Sequence, residues 1–379
     1  MKKILSHVQG KQQETVALIR RLVECESPTD DAGAVNRFVD LLAAEVQGEA
    51  EIRTYPGGTF GRHLRLEFRL PGRCKTKQLL LLGHSDTVWP LGTLARMPFR
   101  ERDGRLWGPG VLDMKSGIAF AVQAARALRE LDIPVSRRVV LLLNADEEVG
   151  SDSSRPLTER EARRSAAVLV LEPGTGLEGK LKTARKGIGG FKILVAGRAS
   201  HAGVDFAAGA SAIVELAQQI AVIAGFTDLD RGITVNPGVI RGGSRSNVVA
   251  DEASADVDFR FVRRNDGAGL ERKFRSLRPI DKRCRLTVEG GVNRPPMERS
   301  RAGLELFRRA RDLGKTIGMD IAESSTGGGS DGNFTAALGI PTLDGLGGVG
   351  EGAHALNESI LTNRIADRTA MIAALLSAL

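Results

Sequence analysis

The chain alternates short apolar runs with longer stretches whose apolar residues recur every three or four positions. Val16, Ile19, Leu22 and Val23 share one face of a helix predicted over 11–25. Phe38, Leu41, Leu42 and Val46 do the same over 36–46. Three apolar runs follow, at 78–82, 139–143 and 166–171, each too short for a helix and each ending in polar residues. Between the first two, Ile118, Val122, Ala125 and Leu128 predict a helix over 117–131, with Arg126, Arg129 and Glu130 opposite. Buried strands alternating with helices predict an α/β domain, a mostly parallel sheet with helices on both faces. Sheets of this kind gather functional groups at the carboxyl ends of their strands.

After about residue 180 the pattern changes. A strand at 191–195, an apolar-rich helix over 210–223, a strictly alternating strand at 253–261 and another at 285–289 predict a smaller α+β domain with an antiparallel sheet. Pro295-Pro296 marks the return point. A helix over 303–317, a glycine-rich turn at 327–331, a strand at 340–343 and a final helix over 359–379 complete the expectation. The second domain, 185–295, is thus expected as an insertion between 1–184 and 296–379.

Composition narrows the picture. At 42% hydrophobic and 26% charged residues the chain is an ordinary globular one, and 4% aromatics argues against a platform for stacking bases or sugars. Lys and Arg exceed Asp and Glu by 54 to 46, a net charge of +8. That excess suits nucleic acid, an anionic surface or an acidic small substrate. No nucleic-acid motif or interleaving of basic and aromatic residues is visible, so no nucleic-acid partner is expected. Cys25, Cys74 and Cys284 lie far apart and form no Cys-x-x-Cys pair, so free buried thiols are expected rather than disulfides or a thiolate metal site. Met1-Lys2-Lys3 has no apolar core behind it, and no window reaches the ~18 apolar residues of a membrane span. The expectation is a cytoplasmic protein without membrane attachment.

Candidate chemistry sits at the predicted strand ends. His84 follows the first apolar run, and Asp86 could fix its tautomer; a strand-end histidine can equally be a satisfied core residue. Asp113 is delivered by the Gly108-Pro109-Gly110 loop just before a helix, where it could cap that helix or bridge two metals. Glu147 and Glu148 end the second run. As neighbours they are either solvated tip residues or a ligand beside a proton acceptor. Glu172 ends the third run, and His354 lies in a glycine-rich loop. Two histidines and three carboxylates supply a nitrogen and oxygen donor set for two zinc ions, three ligands each with one shared.

Taken in order along the chain, the motifs resemble those of the cocatalytic di-zinc peptidase and deacylase family. That family includes glutamate carboxypeptidase, succinyl-diaminopimelate desuccinylase, acetylornithine deacetylase and aminoacylase. The resemblance rests on 83–88, 110–117, 144–151, 171–173, 199–203, 242–248 and 327–331. It implies one zinc on His84, Asp113 and Glu172 and another on Asp113, Glu148 and His354, with Co2+ or Mn2+ as other possible metals. It further implies Glu147 as general base, Asp86 orienting His84, and His201 on a lid and dimerisation domain stabilising the oxyanion. A cis peptide after Asp113 is usual in the family. Arg294-Pro295-Pro296 resembles the glutamate carboxypeptidase branch, which implies Arg294 as the anchor of a substrate carboxylate, assisted by Lys186 and Asn247. The implied protein is a homodimeric carboxypeptidase that takes a small peptide or an N-acyl amino acid. The alternative is an N-acyl amino acid deacylase.

Overall fold

The computed structural model describes residues 1–73 and 77–379, so Cys74 lies outside the described residues. The three apolar runs become the strands Gln78–His84, Arg138–Asn144 and Ser165–Val170, adjacent and parallel, with Thr342–Leu343 added in parallel at one edge. Both faces of these strands are buried. Leu79, Leu81, Val139, Leu141, Leu143, Ala167 and Leu169 pack into the core beneath the helices Gln12–Glu24, Ser116–Glu130 and Ile365–Ala378. Leu80, Leu82, Val140, Leu142, Val168 and Val170 meet Leu157 and Ala162 of the helix Arg155–Arg163 on the other face. Two-sided burial is why the runs carry no polar alternation.

The other edge is antiparallel. Arg62–Phe68 pairs with Arg138–Asn144, and Ala50–Pro56 pairs with Arg62–Phe68. The sequence pattern did not announce these strands. Leu64, Leu66 and Phe68 point to the core, but His63, Arg65 and Glu67 intervene. Arg65 is itself buried, paired with Glu161 at 3.2 Å and Glu67 at 2.9 Å.

The predicted final helix is shorter than expected. Ser359–Leu361 is instead a strand of a second sheet, ordered Gly350–Glu351, Ser359–Leu361, Arg105–Trp107, Arg100–Arg102. The helix itself begins at Ile365. This small sheet sets the hairpin tip 352–358 beside the loop that leaves Arg105–Trp107. An unpredicted helix, Lys2–Gly10, buries Ile4 and Val8.

By contacts the chain divides into two compact units. One comprises Met1–Ala184, Arg299–Thr326 and Ser330–Leu379; the other comprises Arg185–Glu298 and Gly327–Gly329. The second unit is a four-stranded antiparallel sheet in the order Thr234–Gly242, Glu252–Phe261, Gly187–Ala196, Arg285–Arg294. Its helices Ala212–Ala224 and Arg264–Arg275 contribute Leu216, Leu270 and Phe274 to a core with Phe191, Ile193, Phe259 and Phe261. The rings of Phe191 and Phe274 stack at 4.3 Å. Among the described residues no helix is long and apolar enough to cross a membrane. Cys25 is half-buried and Cys284 buried, both as free thiols.

Candidate metal centre

Strand register builds the centre of the first unit. His84 lies level with Asn144 across the Gln78–His84 and Arg138–Asn144 pair, so the segments carrying Asp86 and Glu147-Glu148 emerge side by side. The Leu171 N–H donates to Leu82 O, which brings the neighbouring Glu172 to the same end of the sheet. Asp113 arrives on the loop after Arg105–Trp107, next to a cis Asp113–Met114 peptide. It caps no helix, since Ser116–Glu130 starts without a side-chain cap. His354 arrives on the hairpin tip with a left-handed φ of 62°.

The tips of these side chains converge. His84 Nε2 lies 3.2 Å from Asp113 Oδ1 and 3.6 Å from Glu172 Oε1. His354 Nε2 lies 3.3 Å from Asp113 Oδ2 and 3.4 Å from Glu148 Oε1. The two Asp113 oxygens therefore face one imidazole each. Two groups result, His84–Asp113–Glu172 and Asp113–Glu148–His354, each with ligand atoms within 4.8 Å of one another.

The donor set suits metal ions. His84 Nδ1 faces the Asp86 carbonyl at 2.9 Å, which places a proton there and leaves Nε2, on the side of Asp113 and Glu172, as the atom that would meet a metal. Glu148 Oε1 is buried, and His354 Nε2 faces it at 3.4 Å. Burial opposes charge on His84, yet Asp113 and Asp86 hold its pKa well above the ordinary 6.5. Donating to the Asp113 and Glu148 carboxylates pushes His354 up to about 10. Burial alone would raise the Asp113 carboxyl, but the two imidazoles hold it far below the usual carboxylate range. Titratable groups perturbed in this way mark a candidate functional site. His84 is buried, whereas the His354 side chain is 47% exposed, so the group opens on the hairpin side.

Supporting residues surround the cluster. Asp86 is buried; its carboxylate accepts from Thr29 Oγ1 at 2.9 Å and from the N–H groups of Glu147 and Glu148 at 3.3 and 3.2 Å. Asp86 thus orders the Glu147-Glu148 turn as well as lying beside His84. The half-buried Glu147 adds its negative field at His84. Sequence reasoning missed three further residues. His63 Nδ1 accepts from the Ala145 N–H at 3.1 Å. Asp146, wholly buried, accepts from Ser153 N–H and Oγ at 2.8 and 2.7 Å. Glu358, wholly buried, accepts from the N–H groups of Gly110, Leu112 and Asp113. Asp146 lies within the motif at 144–151 and Glu358 stands four residues after His354, but nothing in their spacing distinguishes an inward from an outward carboxylate. His63 lies in a strand the pattern did not disclose.

The remaining candidates belong to the second unit. His201 is exposed, and its Nδ1 accepts from the N–H groups of Gly203 and Val204 at 3.1 and 3.2 Å. Asn247, also exposed, accepts through its backbone carbonyl from Ala202 N–H at 3.0 Å, so it sits beside the His201 loop. Lys186 is half-buried and precedes the strand Gly187–Ala196. Arg294 is 4% exposed at the end of Arg285–Arg294, opposite Ile188.

Comparison with known proteins agrees with this construction. Residues 80–378 match peptidase family M20/M25/M40. Carboxypeptidase G2 of Pseudomonas sp. (strain RS-16) is 29% identical over 357 residues, 91% of this chain and 84% of the relative. Succinyl-diaminopimelate desuccinylase of Verminephrobacter eiseniae (strain EF01-2) is 29% identical over 385 residues, 93% of each chain. In fold, the chain is similar to aminopeptidase PepT from Bacillus cereus, with a TM-score of 0.81 at 23% identity, covering 97% of this chain and 98% of that one. The chain belongs to peptidase family M20/M25/M40 and is a hydrolase of amide bonds.

Proposed function

We propose that this protein is a di-zinc carboxypeptidase that hydrolyses the amide bond to a C-terminal amino acid, glutamate or another acidic residue. The observation that carries the reading is Asp113, whose two oxygens each face one imidazole of two three-residue groups. His84, Asp113 and Glu172 would hold one zinc, and Asp113, Glu148 and His354 the other. Bound zinc supplies Lewis-acid polarisation of a carbonyl and lowers the pKa of water.

The chain's own groups then have distinct tasks. Glu147 takes a proton from the attacking water and returns it to the leaving nitrogen, so that amide and water become acid and amine. Asp86 orients His84 and, through two N–H groups, the turn that carries Glu147. His201 donates to the developing oxyanion. Support comes from its Nδ1, which accepts two backbone N–H groups and so leaves the ring proton on Nε2. Arg294 anchors the substrate carboxylate through its planar fork, assisted by Lys186 and Asn247.

The same reading makes the protein a cytoplasmic homodimer. Ile213, Val214 and Val222 on the helix Ala212–Ala224 are exposed, as are Val239 and Ile240 on the edge strand Thr234–Gly242 packed beside that helix. A helix face and strand edge of this character suit a second copy.

A substrate panel on zinc-reconstituted protein tests the proposal. Acyl- and peptidyl-glutamates should be hydrolysed, and Glu147→Ala should lower turnover by roughly 10²–10⁴-fold while the fold persists. Full activity after chelation would overturn it. Preference for N-acetyl or N-succinyl amines without a C-terminal glutamate would favour the deacylase alternative, to which the desuccinylase relative is the pointer.

A further inference from the structure

Glu358 takes no part in the chemistry above, yet it meets three segments that carry site residues. It stands four residues after His354 on the same hairpin tip. Its Oε1 accepts from Leu112 and Asp113 N–H at 2.9 and 3.0 Å. Its Oε2 accepts from Gly110 N–H at 2.9 Å and from Trp89 Nε1–H at 2.8 Å. Trp89 lies three residues after Asp86. The Glu358 carbonyl also accepts from Gly108 N–H at 3.4 Å, and its own N–H donates to Ala355 O at 2.9 Å. The residue is wholly buried, and both carboxylate oxygens are engaged by N–H donors.

Such an arrangement is costly unless it fixes something. A buried carboxylate is tolerated when several N–H groups point at it. Here three of the four donors come from consecutive turns of the loop that delivers Asp113. The hairpin bearing His354 is half open to solvent and holds only short strands at its base, Gly350–Glu351 and Ser359–Leu361. Glu358 docks this hairpin onto the Asp113 loop, so the position of His354 and that of Asp113 are set together.

We infer that Glu358 is a positioning residue that couples the His354 hairpin to the Asp113 loop and thereby controls occupancy of the Asp113–Glu148–His354 group. The inference rests on the two-metal reading, but its test reads metal binding and backbone protection rather than turnover. Glutamine at 358 would turn one acceptor into a donor facing N–H groups, leaving two of the four donors unmet without changing size.

The test titrates metal-free wild type and Glu358→Gln with Co2+, followed by visible absorption and calorimetry. Wild type should bind two ions. The variant should keep one binding event within about threefold and weaken the other roughly 10–100-fold, the range for residues that orient metal ligands from behind. Equal weakening of both events would mark Glu358 as merely structural, and unchanged affinities would remove it from the site; either overturns the inference. Failure of wild type to bind two ions would sink the two-metal reading itself. Should the variant not fold, hydrogen exchange on the wild-type chain decides. Co2+ should protect 108–113 and 352–361 together, with one concentration dependence. Independent protection of the two segments would overturn the coupling.

Discussion

The two imidazoles at Asp113 make opposite demands on protons and metal, and this fixes a pH dependence. His354 is pushed from 6.5 up to about 10 by Asp113 and Glu148, and His84 is raised by Asp113 and Asp86 against its burial. At pH 7 the His354 ring of the metal-free protein therefore holds an extra proton. A folded-state pKa above the unfolded value contributes stability that is complete below pH 6.5 and lost as pH rises towards about 10. The melting temperature of metal-free protein should accordingly fall across that interval. Metal requires neutral imidazole, so metal affinity should climb over the same interval. Calorimetry at pH 7 in two buffers of different ionisation enthalpy should show at least one proton, that of His354, released on saturation with zinc. Release of none would mean that the imidazoles are not the sites of exchange. At this scale the sequence was legible where residues end apolar runs, as His84, Glu148 and Glu172 do. It was silent on Asp146 and Glu358, because an inward carboxylate is defined by N–H groups from distant loops rather than by its neighbours in the chain.

Elements meet at the centre through missing side chains. A methyl group on Gly117 would lie 2.3 Å from Leu171 O, and one on Gly347 would lie 2.0 Å from the same atom. Gly117 begins the helix that follows Asp113, and Leu171 precedes Glu172. Close approach here sets the spacing between two carboxylates that face His84. Gly117→Ala should destabilise the protein by roughly 1–3 kcal/mol, as overpacking does, and weaken metal binding at the His84 group. Gly10→Ala is the contrast, since nothing lies within 4 Å of the added methyl and φ is unstrained. Its stability in urea unfolding should hold or rise slightly, by up to about 1 kcal/mol. Equal losses for both variants would refute the packing argument. The elements themselves were readable in proportion to how unbroken or how periodic their apolar signal is. Runs buried on both faces and the amphipathic helices 12–24 and 116–130 stood out. The antiparallel strand with buried Arg65 and His63 did not, nor did strands of two or three residues such as Gly350–Glu351, which are too short to repeat any pattern. The strand at 359–361 was consequently absorbed into an overlong final helix.

For the whole chain, the +8 charge and the exposed apolar residues tell different stories. Many arginines are matched locally, as Arg126 is by Glu45 and Glu49, and Arg62 by Asp40, while the centre itself is acidic. The positive excess is therefore spread over the surface rather than focused on the candidate centre. Exposed apolar side chains are not spread in this way. Among the described residues, the large apolar side chains exposed in the first unit are Val88, Leu91, Val149, Leu177 and Leu356. Each lies within five positions of Asp86, Glu148, Glu172 or His354. Single exposed apolar residues are ordinary, but five so near the site residues in sequence suit a rim that meets an apolar ligand. The expected consequence concerns the acyl side of the substrate. Leu356→Ser and Val149→Ser should each lower kcat/KM for N-benzoyl-glutamate roughly fivefold, equivalent to about 1 kcal/mol of apolar contact. The value for N-acetyl-glutamate should stay within about twofold, because its acyl group presents a single methyl to the rim. Parallel losses on both substrates would place these side chains in support of the fold. No loss on either would leave the acyl group facing solvent.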